Sequence, residues 1–124
     1  MRKPSRKSLV RKLDAIFSEF IRKRDILKNP ICPLCKTRPI SCCFHWVTRA
    51  HHKTRWDADN AIGACDGCNY RYEFDPHPMI EQFIRERGLA TYERLVQKSR
   101  GIAKFSNSDL EQMASDFRQK LEAL

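Results

Sequence analysis

Apolar residues recur every three or four positions near the start of the chain, which is the spacing of one buried helix face. The positions are Leu9, Leu13, Ile16, Phe17, Phe20 and Ile21. This pattern predicts an amphipathic helix from Ser8 to Leu27, ended by Asn29-Pro30, because the residue before a proline disfavours helical backbone. Residues 1–7 lack the pattern and are predicted to form a flexible basic arm.

The middle of the chain changes to short runs of β-prone residues. Residues 40–44 and 45–48 are rich in β-branched, aromatic and other strand-compatible side chains. A hairpin within residues 31–56 therefore fits this segment better than a helix. Residues 57–60 predict a turn, and residues 68–72 predict a short helix after it.

The last third of the chain returns to helical patterns. Pro78 can open a helix because its fixed backbone angle suits a first turn, and Gly88 stops that helix. Residues 89–98 predict a second helix. The pair Ser108 and Glu111 has the spacing of a capping box, which predicts the start of a third helix there.

These elements predict an α+β fold built as one compact unit. A chain of 124 residues and 14.6 kDa has room for one core with appendages. Its parts are a basic arm and amphipathic helix in residues 1–30, a β-rich centre in residues 31–76, and a helical region in residues 77–124.

The positive charge of the chain is concentrated at its start. The formal net charge is +9, and residues 1–30 carry ten Lys or Arg against three Asp or Glu. Such a surplus favours a polyanionic partner such as DNA, because each cation that meets a phosphate releases condensed counterions. A solvated helix face in a basic protein is the alternative.

No apolar stretch of the sequence is long and uncharged enough to predict a signal peptide or a membrane span. We therefore expect no membrane partner and a cytoplasmic location. In a reducing compartment, paired cysteines bind metal more often than they form disulfides.

Four of the six cysteines form two pairs with the spacing of zinc knuckles. Cys32 and Cys35 make the first pair, and Cys65 and Cys68 make the second. Each pair can present two thiolates from one tight turn, and two such turns complete a tetrahedral zinc site. Because four thiolates fill the coordination shell, the predicted zinc is structural and not catalytic.

The two remaining cysteines, Cys42 and Cys43, are adjacent in a β-prone run. Successive side chains of a strand point to opposite faces, so at most one of the two thiols faces the core. The sequence favours packing thiols here, with replacement of a knuckle ligand as the alternative.

Polar residues follow a distinctive order between and after the cysteine pairs. His45 is followed by Arg55-Trp56-Asp57, then by Asn60, and then by Asn69 directly after Cys68. In order, spacing and identity these residues resemble the HNH, or ββα-metal, endonucleases. They are also similar to the phage NinG/Rap recombination proteins, in which comparable residues lie between two cysteine pairs.

The resemblance covers residues 32–76 closely and the helical tail loosely. It implies a small zinc-stapled ββα-metal centre, also called a His-Me finger, flanked by N- and C-terminal helices. It further implies an intracellular phage or prophage protein that acts on recombining or branched DNA.

The resemblance also implies roles for three residues. His45 matches the general base, and an imidazole titrates near neutral pH, where it can take a proton from water. Asn60 matches the middle asparagine, which fixes the loop and orients the histidine. Asn69 matches the last position of the motif, where a side-chain oxygen can bind a catalytic Mg²⁺ or Mn²⁺.

Phe44 is a departure from many HNH enzymes, which have a metal-binding aspartate or histidine directly before the base. The second metal ligand is therefore open. Glu73 is one helical turn after Asn69 and is the predicted substitute. Alternatively, His45 binds the metal itself, or Glu73 is a surface carboxylate that pairs with Arg71 or Lys53.

Several basic residues are predicted to contact the nucleic acid. Arg49 and Arg55 can each clamp phosphate oxygens, or can instead form a structural ion pair with Asp57 or Asp59. The other predicted contacts lie in the N-terminal region and are Arg2, Lys3, Arg6 and Lys7.

The sequence thus predicts a metal-dependent endonuclease that nicks DNA or selects branched DNA. One alternative is a zinc-finger DNA-binding protein without catalytic activity, which the residue at Phe44 keeps open. A second alternative is a partner-binding scaffold that works through the C-terminal helices. Cleavage of two strands by two sites would favour a homodimer.

Overall fold

A computed structural model describes residues 2–124 of the chain. The described part contains six helices and one two-stranded antiparallel sheet, which confirms the α+β class. In chain order the elements are α1 (Arg6–Ile26), β1 (Cys42–His45), α2 (His52–Arg55), a 3-10 turn (Ala58–Asn60), β2 (Ala61–Ala64), α3 (Asp66–Phe74), α4 (His77–Arg87), α5 (Leu89–Ser99) and α6 (Asn107–Glu122).

Helix α1 follows the predicted amphipathic pattern closely. It begins at Arg6 because the Ser5 hydroxyl accepts a hydrogen bond from the backbone N–H of Ser8 at 3.1 Å. The end of the predicted arm therefore belongs to the helix. The buried face contains the six residues that the pattern singled out, namely Leu9, Leu13, Ile16, Phe17, Phe20 and Ile21.

The sheet differs from the predicted hairpin. Strand β1 pairs with Ala61–Ala64, so that His45 lies opposite Ala61 and Cys42 lies opposite Ala64. The hairpin predicted within residues 31–56 was wrong because the partner strand lies beyond that range, and residues 46–60, which include α2 and the 3-10 turn, connect the two strands. The true partner strand was not predicted because its Ala and Gly residues have low β-propensity.

The C-terminal helices begin and end close to the predicted points. Pro78 lies in the first turn of α4, and Gly88 ends that helix with a φ of 93°, which is costly for any residue with a Cβ. The capping box is shifted by two residues from the prediction. Ser106 and Asp109 form it, because Ser106 Oγ accepts from the backbone N–H of Asp109 at 3.0 Å.

The apolar interior consists of two clusters on opposite sides of the sheet. The first joins α1 and α6 with Trp56, and the edge-on contact of Phe17 with Phe117 lies within it. The second joins the cysteine pairs with α4 and α5 around the fully buried Phe44. The sheet and the loop after β1 therefore lie between two packed supports.

Polar contacts fix the end of α1 against the second strand. The Arg24 guanidinium pairs with Asp25 at 2.8 Å and donates to the main-chain oxygens of Ala58 and Ala61. Asp25 in turn accepts from the backbone N–H of Gly63 at 2.7 Å. Among the helices described, none combines the length and the apolar character needed to cross a bilayer.

Candidate metal centre and candidate active site

The four paired cysteines meet at one point, as their spacing predicts. The Sγ atoms of Cys32, Cys35, Cys65 and Cys68 all lie within 4.8 Å of one another, and three of these residues are buried. The cluster can therefore hold a structural metal such as zinc.

The first knuckle is a tight turn with left-handed backbone. The backbone N–H of Lys36 donates to the Cys32 oxygen at 2.8 Å, and the N–H of Cys32 donates to the Arg38 oxygen at 2.7 Å. Lys36 has a φ of 58° directly after the second thiol. Backbone N–H groups of Arg38 and Thr37 lower the pKa of Cys35 to about 6, which favours the thiolate that binds metal.

The second knuckle forms the start of α3. Cys65 is the N-cap, and its Sγ accepts from the backbone N–H of Cys68 at 3.4 Å. The Sγ atoms of Cys35 and Cys65 are 3.8 Å apart. Tetrahedral zinc with Zn–S bonds of about 2.3 Å separates its sulfurs by about 3.8 Å, so the donor set and spacing fit zinc.

Cys42 and Cys43 lie outside this cluster, in β1. Burial raises the pKa of each thiol to about 12, so both stay protonated at neutral pH. Cys43 packs against the α1–α6 core. This arrangement agrees with packing thiols and not with replacement of a knuckle ligand.

A second site lies on the other side of the sheet, where α1, β1 and α3 surround a cleft of about 430 Å³. We call it the His45 cleft. Its lining comprises Asp14, Phe17, Ser18, Arg22, Ser41, Cys42, Cys43, His45, Thr48, Arg49, Asn69, Tyr72 and Glu73. It thus brings together four of the predicted site residues, namely His45, Arg49, Asn69 and Glu73.

His45 is positioned by a main-chain acceptor. Its Nε2 atom lies 2.9 Å from the carbonyl oxygen of Arg55, and its ring lies 5.7 Å from the ring of Phe17. A carbonyl oxygen can only accept, so Nε2 carries the proton and Nδ1 is left to accept one. Burial lowers the pKa of His45 below 6.5, because a low-dielectric surrounding disfavours the imidazolium form.

Asn60 does not line the cleft and acts on the loop that contains it. The Oδ1 atom accepts from the Val47 N–H at 2.9 Å, while Nδ2 donates to the oxygens of Val47 and Thr54. The side chain is fully buried. Asn60 therefore ties together both ends of the loop between His45 and Arg55, as a loop-fixing asparagine would.

Asn69 and Glu73 project from α3 into the cleft, one turn apart. Both residues are exposed. No ion pair of Glu73 is found among residues 2–124, so neither Arg71 nor Lys53 neutralises its carboxylate. Two side-chain oxygens are thus available on one face of the helix.

The two predicted phosphate-binding arginines have different surroundings. Arg49 lines the cleft and is largely exposed, 3.9 Å from Asp14. Arg55 is held by Asp14 through paired hydrogen bonds, with its Nε 3.0 Å from Oδ1. The predicted ion pair of either arginine with Asp57 or Asp59 was therefore wrong. Both arginines lie beside Asp14, and Asp57 pairs with Lys98.

Asp14 had no predicted role, yet it is the acceptor for both Arg55 and the indole N–H of Trp56. Burial by itself would raise the pKa of Asp14, but the hydrogen bonds from Arg55 and Trp56 hold it below 3.8. Arg22 and Ser18 were missed in the same way. Their spacing of four residues along α1 places them on one face and was the available signal.

The N-terminal cations lie at the far end of α1 from this cleft. Arg2 and Lys3 are exposed residues before the helix, and Lys7 is exposed in its first turn. Arg6 donates to the side chain of Asn107 at 3.3 Å. The contacts of these four residues with nucleic acid stay predictions.

Comparison of the chain with protein-family models, with curated proteins and with solved structures found no match. The resemblance to HNH nucleases therefore remains a hypothesis carried by the residues of the site.

Proposed function

We propose that the protein is an HNH-type endonuclease that hydrolyses DNA phosphodiester bonds in the His45 cleft with Mg²⁺ or Mn²⁺. The observation that carries the proposal is the meeting of His45, Asn69 and Glu73 with Arg22 and Arg49 in one cleft. A nitrogen base, oxygen ligands and cations are the groups that metal-assisted phosphodiester hydrolysis needs.

His45 would take the proton from the attacking water. Because its Nε2 donates to the Arg55 oxygen, the other ring nitrogen is the one free to accept. A pKa below 6.5 keeps this nitrogen unprotonated at neutral pH. The hydrogen bond also fixes the plane of the ring, which is a condition for efficient general-base catalysis.

Asn69 and Glu73 would hold the catalytic metal through side-chain oxygens. Amide and carboxylate oxygens are the ligands that Mg²⁺ and Mn²⁺ prefer. When bound, such an ion stabilises negative charge on the phosphate and on the leaving oxygen. Phe44, at the position of the usual second ligand, is fully buried in the cysteine-side cluster, so Glu73 supplies the oxygen that Phe44 lacks.

Arg22 and Arg49 would hold the phosphate, and α1 would extend the contact. Positions 7, 11, 18 and 22 share one face of a helix with 3.6 residues per turn. Ser18 and Arg22 line the cleft, while Lys7 and Arg11 are exposed further along α1. A DNA backbone can therefore follow this face from the cleft.

The cysteine cluster supports the site through the start of α3. Cys68 directly precedes Asn69, and Cys65 follows the last residue of β2. A metal bound to the four thiolates fixes the start of α3 relative to the sheet, and so fixes Asn69 relative to His45. Rigid support of this kind keeps catalytic groups within the narrow geometry that they need.

The direct test is metal-dependent nicking of supercoiled plasmid by the zinc-loaded protein. We expect nicked circles with added Mg²⁺ or Mn²⁺ and none without. Glu73→Gln should raise the concentration of Mg²⁺ or Mn²⁺ that nicking requires. Glu81→Gln, on an exposed part of α4, should leave that concentration unchanged. Protein that binds DNA but nicks it with neither ion would overturn the proposal.

That negative result would instead favour a zinc-finger DNA-binding protein without catalytic activity. The observation behind this second function is the buried Phe44, which occupies the position of a metal ligand in many HNH enzymes. Mn²⁺ binding distinguishes the two functions, because the second one predicts no ion at Asn69 and Glu73.

A further inference from the structure

Helix α3 carries a pair of exposed aromatic side chains. Tyr70 is 66% exposed and Phe74 is 69% exposed, and their ring centroids lie 4.9 Å apart with an interplanar angle of 55°. They are the two aromatic residues among the exposed large hydrophobic side chains of the described chain. Each ring has the other as its aromatic neighbour, and most of each side chain is open to solvent.

The position of the pair on α3 relates it to the His45 cleft. Each residue turns an α-helix by about 100°. Asn69 and Glu73 face the cleft, so Tyr70 and Phe74 form the next stripe around the helix, and Arg71 lies about 100° beyond them. The rings thus lie between the proposed catalytic groups and a cation.

Arg71 is joined by a second arginine at the cysteine knuckles. A groove of about 310 Å³ contains Arg38 and Arg71 together with Gly67. A Cβ on Gly67 would lie 2.6 Å from the Arg38 guanidinium, so the glycine allows this cation to lie against the helix. The order around α3 is therefore cleft, aromatic pair, two arginines.

We propose that Tyr70 and Phe74 stack with unpaired bases of a DNA strand whose backbone runs from the His45 cleft to Arg38 and Arg71. The proposal rests on the proposed function and names its substrate class, which is DNA with unpaired nucleotides next to the cleaved bond. A base inside a duplex has both faces covered by its neighbours, so it offers no face to the rings.

The charge of the protein selects this occupant over an apolar one. The chain carries a net charge of +9, and the aromatic stripe has an arginine on one side and the cleft with Arg22 and Arg49 on the other. Aromatic rings between cations are the recurring design of single-strand binding surfaces, where stacking is tolerant of sequence.

The test measures binding without cleavage, using zinc-loaded protein and no added Mg²⁺ or Mn²⁺. The probes are a fluorescent oligothymidylate of about 12 nucleotides and a fluorescent blunt duplex. We expect the double variant Tyr70→Ala/Phe74→Ala to bind the oligothymidylate at least about tenfold more weakly. Duplex binding stays within about twofold, because backbone contacts dominate it.

Two controls make the loss specific to stacking. Tyr70→Phe/Phe74→Tyr keeps both rings and retains oligothymidylate binding. Leu89→Ala removes another exposed apolar side chain, on α5, and also retains it. Both results support the proposal. Arg71→Gln should weaken the binding of the oligothymidylate and of the duplex to the same extent, and that result supports it as well.

Equal oligothymidylate binding by the double variant and the unchanged protein would overturn the proposal. A wild-type dimer that the double variant turns into monomers would also overturn it, since the face would then join two copies of the chain. Failure of the nuclease proposal gives a different pattern. Plasmid nicking is then absent, whereas ring-dependent binding of oligothymidylate persists.

Discussion

The Nε2 atom of His45 donates a hydrogen bond to the main-chain oxygen of Arg55 across 2.9 Å. The position of that oxygen depends on two other side chains. Asp14 holds the Arg55 guanidinium from α1, and Asn60 closes the loop from inside. The orientation of the proposed base is therefore set by a helix and a loop that lie outside the zinc knuckles.

Titration of His45 is expected below the ordinary histidine range. Its pKa lies under 6.5 because burial disfavours the charged ring. The resonance of its C2 proton, followed by NMR in zinc-loaded protein, should therefore titrate below pH 6.5. The unfolded chain takes up this proton more readily, so acidification below 6.5 destabilises the folded state. A His45 pKa at or above 6.5 would contradict the burial of the ring.

Removal of the Asp14 carboxylate is expected to destabilise the fold. Asp14→Ala leaves the guanidinium of Arg55 and the indole N–H of Trp56 without their acceptor, at a cost of about 2 kcal/mol in urea unfolding. Asp14→Asn keeps a hydrogen-bond acceptor, so its free energy of unfolding should lie between those of the unchanged protein and of Asp14→Ala. The folded-state pKa of Asp14 lies below 3.8, so its stabilisation is present above that pH and disappears as the pH falls through the folded-state value. A pH-independent difference in stability between the unchanged protein and the Asp14→Asn variant would refute this ion pair.

Two asparagines offer a matched pair of substitutions. Asn60→Ala removes the three hydrogen bonds that this buried side chain makes to Val47 and Thr54 and should lower the free energy of unfolding by about 3 kcal/mol. Asn69→Ala changes an exposed residue and should leave stability within about 0.5 kcal/mol. Asn69→Ala should nevertheless reduce nicking and Mn²⁺ binding. Equal stability losses in the two variants would contradict the separate roles.

Zinc content tests the cysteine cluster. Elemental analysis of the purified protein should give about one zinc per chain. Cys32→Ser removes one of the four converging thiols and should yield zinc-free, unfolded protein. Cys42→Ser is the control, because this thiol lies outside the cluster, and its zinc content should not change. Stable, folded protein without zinc would disprove the structural metal.

The basic face of α1 predicts the salt dependence of DNA binding. Lys7→Gln/Arg11→Gln should reduce the slope of log affinity against log salt by about 2, which is about one per lost phosphate contact. Arg85→Gln, on an exposed part of α4, should leave the slope unchanged. Both changes are on solvated surface, unlike a deletion of α1, which would remove six buried core residues. An unchanged slope in the double variant would exclude DNA from this face.

The sequence predicted those parts of the fold that local signals determine. The apolar spacing of α1, the knuckles at Cys32 and Cys65, and the stop at Gly88 all depend on neighbours within one or two turns. Sheet pairing was not predictable in this way. Strand β2 has the sequence Ala-Ile-Gly-Ala, and its close packing is visible only in space, where a Cβ on Gly63 would lie 2.8 Å from Ile40.

The candidate site shows the same division. His45, Asn69 and Glu73 follow from order and spacing around the cysteine pairs, and the structure brings them to one cleft. Asp14 and Arg22 come from α1. The apolar spacing of this helix predicts its buried face but not the residues that its polar face contacts. The contact of Asp14 with Arg55 joins positions 41 residues apart, and no local rule relates them.

The most direct test of the account is the nicking activity of His45→Ala. The variant is compared with His52→Ala, which changes an exposed histidine, after both are shown to be folded and zinc-loaded. We expect His52→Ala to nick supercoiled plasmid at the unchanged rate with Mg²⁺ or Mn²⁺. We expect His45→Ala to lose at least about a hundredfold in rate and to recover part of it with added imidazole. Nicking by His45→Ala at the rate of the unchanged protein would contradict the central role given to this residue.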